Sequence, residues 1–167
     1  MPCAEILLDR SLVTGEPVVS VHADLTPTRR AAGQARALVA SVLNGAATRT
    51  LDDDTVHSAR LVVSELVTNA VLHARTDLHL DICHDEHTLL IAVADGAPVP
   101  VAGGAPPAES QSVDHEIEVA IANESGRGML IVATLAADFG WRPREDVPGK
   151  IMWVLLDLDA QPDSAAV

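Results

Sequence analysis

The sequence predicts an α+β domain in which one antiparallel or mixed sheet is covered on one face by helices. Three observations carry this. Two helical stretches come early and run back to back, at about 28–47 and 52–74. Two strand-like stretches, 77–85 and 88–94, then follow each other across a short polar turn. A strongly apolar strand, Lys150–Leu158, closes the pattern, so helices and strands are segregated and do not alternate as in β-α-β units.

Residues 1–17 read as a loosely specified arm punctuated by Gly15 and Pro17. Pro17–Ala23 alternates enough for a strand. Thr26-Pro27 marks a helix start, with Pro suited to the first turn and Thr to the cap. Ala31, Ala35, Leu38, Val39 and Val42 then recur at helical spacing as far as Asn44-Gly45. The second helix opens at Asp52-Asp53-Asp54, where acids suit the positive end of the helix dipole. Its buried side is Val56, Ala59, Val63, Leu66, Val67, Ala70 and Val71. Asp85-Glu86-His87 makes a hairpin of the next two strands. The stretch 96–125 is rich in Gly, Pro, Ser and acids and is too long for a simple connection. Within it Glu116–Ile121 fits a short strand or a helical turn. Gly128–Phe139 reads as a helix that Gly140 ends, and the tail from Asp159 as frayed.

At 167 residues and 48% apolar content the chain is one domain's worth, with a single sizeable core. No apolar run approaches the ~20 residues of a membrane helix. The N-terminus lacks a basic segment followed by a long apolar one, which argues against a secretory leader. Cys3 and Cys83 make no disulfide framework and have no neighbours at metal-ligand spacing. They read as ordinary small apolar residues in a reducing, cytoplasmic setting. The net charge of −13, from 24 acids against 11 bases, repels a phosphate backbone and argues against direct nucleic-acid binding. A nucleotide stays open, because Mg²⁺ and backbone N–H groups hold phosphates without a basic surface.

Three short motifs carry chemistry. Glu65, Asn69 and His73 stand at i, i+4 and i+8, so on a helix they share one side beside a buried stripe. Acid, amide and imidazole at a core edge are costly without partners, although alone they also fit a helix with a tolerated polar face. Ile91-Ala92-Val93-Ala94 then delivers Asp95 at a strand end, followed by Gly96. A carboxylate there can accept from the exocyclic amine of a purine, and it also fits a plain Asp-Gly turn. Third, Gly126-Arg127-Gly128-Met129 precedes an apolar helix, and glycines at a helix N-terminus let N–H groups approach phosphate oxygens. Other nucleotide patterns fail. Ile131 stands where a dinucleotide fingerprint needs its third glycine, and Ile151 follows Lys150 where a P-loop needs Ser or Thr.

In that order, Glu-x-x-x-Asn-Ala, Asp-Gly and Gly-Arg-Gly resemble the asparagine box and the two glycine boxes of the GHKL (gyrase, chaperone and histidine-kinase-like) ATPase superfamily. Ser64–Ala74, Gly126–Val132, Trp141 and Gly149–Trp153 are similar to the RsbW-type anti-sigma-factor serine/threonine kinases. The resemblance covers about residues 18–158, after the arm 1–17 and before a tail at 159–167. It implies a two-layer α/β sandwich of the histidine-kinase-like ATPase (Bergerat) type, with a mixed, mainly antiparallel sheet and helices on one face. ATP and Mg²⁺ are the implied cofactors. Asn69 would coordinate Mg²⁺, Glu65 would be the general base, and Asp95, with Gly96, would recognise adenine. Gly126, Arg127 and Gly128, with Met129 beside them, would hold the phosphates, and His73 would shape that end of the site. Residues 99–125 would be a lid, bearing Glu109, Asp114, Glu116, Glu118 and Glu124. The implied partners are an anti-anti-sigma-type protein and a sigma factor, with a homodimer possible. A non-phosphorylating, ATP-dependent binding module is the alternative.

Overall fold

The structure is a computed structural model and describes residues 19–45, 51–98, 126–145 and 147–159. Five strands form one sheet: β1 (Val19–Leu25), β2 (Leu78–His84), β3 (Thr88–Asp95), β4 (Asp138–Pro143) and β5 (Lys150–Asp157). Their order is β1-β2-β3-β5-β4, and every neighbouring pair is antiparallel. Three helices, α1 (Ala31–Gly45), α2 (Asp53–His73) and α3 (Gly126–Leu135), complete the described elements. The α+β class with an antiparallel sheet is therefore as the sequence indicates.

The period of two in the central strands builds two cores. Leu80, Ile82, Leu89, Ile91, Val93, Val154 and Leu156 point to one face and join Val39, Val63, Leu66, Val67 and Val132 of the helices. Cys83, Leu90, Ala92, Ala94, Ile151 and Leu155 point to the other and form a smaller cluster with Trp153. The hairpin between β2 and β3 is held by Asp85, whose Oδ1 accepts from His87 N (2.8 Å), Thr88 N (2.6 Å) and Thr88 Oγ1 (3.0 Å). Such an aspartate turn mimics a backbone turn and sets the strand register.

Helix α2 starts where the acids place it. Asp52 is the N-cap, its Oδ1 accepting from Thr55 N at 2.6 Å, a contact worth ~1 kcal/mol in typical helices. Ala59, Val62, Val63, Leu66, Val67 and Ala70 form its buried stripe. It ends before Arg75, which takes a left-handed φ of 54°.

Three expectations need correction. The first helix does not begin at Thr26-Pro27: β1 runs on to Leu25 and the following residues turn before Ala31. Thr28 does the capping, accepting Arg30 N on Oγ1 (3.3 Å) and Ala31 N on its carbonyl (3.0 Å). Gly140 does not end a helix from Gly128 to Phe139. Helix α3 stops at Leu135, Ala137 N donates to Leu155 O (2.9 Å), and Asp138–Pro143 pairs along β5. An open strand edge outcompetes one more helical turn there, and Phe139 and Trp141 suit a strand. Gly140 lies opposite Trp153, and a Cβ on it would sit 2.9 Å from the indole Cζ2. Last, Cys83 is disulfide-bonded and not an ordinary apolar residue; Cys3 lies outside the described residues, as do the arm 1–17, Glu116–Ile121 and the rest of 99–125.

Candidate functional site

Helix α2 carries its polar stripe along the border of the main core. Glu65 and Asn69 are half-buried beside the buried Leu66 and Ala70, and His73 is exposed in the last turn. At ~1.5 Å per residue the three span about 12 Å. Near one end, Gly128 lies so close to Glu65 that a Cβ on it would collide with the carboxylate Oε2. Gly128 belongs to the first turn of α3, where backbone N–H groups have no helical acceptor and can face anionic oxygens. Beyond the other end, Thr76 Oγ1 accepts from Gly96 N at 2.9 Å. Through Gly128 and Thr76, α2 links the two glycine motifs that flank it in space.

Asp95 ends β3 on the helix side of the sheet with 1% of its surface exposed. Its Oδ1 accepts from Ala97 N (2.8 Å) and from Lys150 Nζ (3.0 Å), and its Oδ2 from the same ammonium (3.1 Å). Asp95 and Lys150 are directly opposed in the β3–β5 ladder, so strand register makes this pair. A carboxylate this deep requires a compensating charge. Three of its roughly four lone-pair sites are then used, and Oδ2 keeps capacity for one more donor, such as an amine N–H. Gly149, at φ 136°, brings the chain against the Asp95 carbonyl, where a Cβ would collide. That approach belongs to glycine.

Among the sequence-derived candidates, Glu65 and Gly128 thus come together directly, and Asp95 with Gly96 sits at the Thr76 end. Gly126 and Arg127 open α3, with the Arg127 side chain outside the described residues. Met129 packs in the main core, 8% exposed. Lys150 and Thr76 carry parts of the site that the motifs did not single out. Lys150 stands in the recognised Gly149–Trp153 stretch, but its partner is 55 residues away and depends on strand register.

The family model described as histidine kinase-like ATPase domain matches residues 25–154. The chain belongs to this family. Membership brings ATP binding with it, and the matched span holds the α2 stripe, Asp95 and the start of α3. A comparison of this ATPase domain with curated proteins finds no match. Among the described residues, no helix is long and apolar enough to cross a membrane.

Proposed function

We propose that residues 18–158 act as an Mg²⁺-dependent protein serine/threonine kinase of the anti-sigma-factor type. An anti-anti-sigma protein is the acceptor and a sigma factor the second partner, held by a monomer or homodimer. The observation that carries this reading is the contact of Glu65 with Gly128, which sets a carboxylate against the helix terminus suited to phosphate. In this reading Asp95 and Gly96 hold adenine, the base amine using the acceptor capacity left on Oδ2. Gly126, Arg127 and Gly128 would line the phosphate end at the start of α3, with the core-packed Met129 behind them. His73, at the far end of the α2 stripe from Glu65, stands instead on the Thr76–Gly96 side. The half-buried Asn69, one turn from Glu65, offers an amide oxygen of the kind Mg²⁺ accepts. Bound there, Mg²⁺ would neutralise charge on the phosphates. Glu65 takes the proton from the acceptor serine hydroxyl as that oxygen bonds to the γ-phosphorus and ADP leaves.

The test is transfer of label from γ-labelled ATP to a protein captured by pull-down with ATP present. Glu65→Gln is expected to slow transfer ~10²–10⁴-fold, the usual weight of a general base, with ATP affinity retained. A second reading, an ATP-dependent binding module, draws on the five acids at Glu109, Asp114, Glu116, Glu118 and Glu124, which oppose phosphate charge. ATP-dependent capture of the partner without any transfer selects it over the kinase.

A further inference from the structure

On the sheet face turned away from the helices, β1 and β2 set four polar side chains in a block. The register opposes His22 to Asp81 and Asp24 to His79. Residues two apart on a strand share a face, so all four stand together at the edge of the sheet, remote in the fold from the α2 stripe. His22 and His79 stack with centroids 6.0 Å apart and rings 14° from parallel. Asp24 Oδ1 lies 2.6 Å from His79 Nδ1 and 3.4 Å from His22 Nε2.

Asp81 is the independent observation that turns a surface cluster into a site. Its side chain is only 4% exposed, its Oδ1 lies 2.9 Å from His22 Nδ1, and its Oδ2 has no hydrogen-bond partner. A buried carboxylate behind an imidazole makes the near ring nitrogen a donor and leaves the far one as the lone-pair atom. That is the arrangement in which metal-binding histidines are oriented and made more basic. His22 therefore presents Nε2 toward Asp24, and His79 presents Nδ1 to the same carboxylate. The three donor atoms lie within 4.8 Å of one another. A tetrahedral ion with bonds of ~2.0–2.1 Å asks for donors about 3.3 Å apart, so small side-chain rotations suffice.

We propose that His22, Asp24 and His79 form a binding site for a first-row transition-metal dication, with Asp81 as the positioning residue behind His22. Two imidazoles and one carboxylate select Zn²⁺ or a neighbouring transition metal over Mg²⁺ and Ca²⁺, which prefer oxygen donors throughout. Binding displaces the proton shared by His79 and Asp24. Three protein donors leave a fourth position for water or for a side chain of a docked protein. The ion would fasten edge strand β1 to β2 just ahead of α1, so occupancy raises resistance to unfolding.

The experiment titrates chelator-stripped full-length protein with ZnCl₂ by calorimetry, without nucleotide, and records the visible spectrum with Co²⁺. One Zn²⁺ per chain is expected, with tetrahedral-type Co²⁺ bands and a Tm that rises with zinc. His79→Gln, a partly exposed position that leaves folding intact, should weaken binding more than 10-fold and abolish the Tm rise. Asp81→Asn should weaken it about 10–100-fold, the usual effect of losing the group behind a ligand. His57→Gln, an exposed change on α2 outside the cluster, should bind as the parent does. Absence of saturable Zn²⁺ or Co²⁺ binding, or equal affinity in the parent and His79→Gln, overturns the proposal.

Discussion

A methyl group on Gly128 would land on the end of the Glu65 side chain, a flexible, half-buried carboxylate that can swing away. Gly128→Ala should therefore spare the fold, since alanine is favoured over glycine in a helix by up to ~1 kcal/mol. It should instead displace Glu65. The expected outcome is an unchanged or slightly higher Tm, together with a fall in phosphotransfer comparable to that of Glu65→Gln. A large loss of Tm would show that the contact is structural. A second residue-scale prediction concerns His22 in chelator-treated protein. The groups facing it are Asp81, Asp24 and His79. The hydrogen bond to Asp81 raises its pKa above the usual 6.5, against the opposing effect of partial burial, with the charges of Asp81 and Asp24 adding to the rise. A raised folded pKa means that the stabilisation is complete below the unfolded pKa and is lost as pH rises through the folded one. The Tm deficit of His22→Gln should thus be larger between about pH 5 and 6.5 than at pH 8.5. An equal deficit at both ends would remove the ion pair as its cause.

At the scale of elements, β4 shows what sequence periodicity leaves out. Asp138–Pro143 is strand because β5 offers it an unpaired edge, and no feature of its own six residues announces that neighbour. Gly140 completes the pairing by admitting the Trp153 indole on the facing strand. Gly140→Ala should push the indole aside at a cost of about 1–3 kcal/mol, the usual range for overpacking. A lower midpoint in urea, with a shifted tryptophan emission in the folded state, is the expected result. Unaltered emission would mean that the indole already has room. By contrast, α2 was largely legible, because acids at its start, apolar spacing of 3.6 and the Glu65-Asn69-His73 stripe reside in one contiguous segment. Only Val62, buried where Val56 and Val71 stay partly exposed, departs from the expected stripe. Strand-to-strand facts were not legible. The Asp95–Lys150 pair and the His22-Asp24-His79-Asp81 block exist only once the β3–β5 and β1–β2 registers are known.

For the whole molecule, the same acidity that argues against a polyanionic partner also bears on ATP. With 24 acids and 11 bases, the chain repels itself and any approaching nucleotide at low ionic strength. At the Asp95 end of the site the charge of Lys150 is already engaged with that carboxylate. In the function proposed above, phosphates would be held by the N-terminus of α3, with Arg127 and with Mg²⁺ at Asn69, against a repulsive background. Salt screens that background over about 10 Å at 0.1 M while acting less on short contacts inside the site. Raising NaCl from 20 to 200 mM should raise the Tm of the nucleotide-free protein and speed association of Mg²⁺-ATP, followed by stopped flow with a fluorescent analogue. A basic nucleotide pocket would give the reverse, slower association in more salt. Observing that reverse would place the governing charge close to the bound phosphates and not in the acidic surface as a whole.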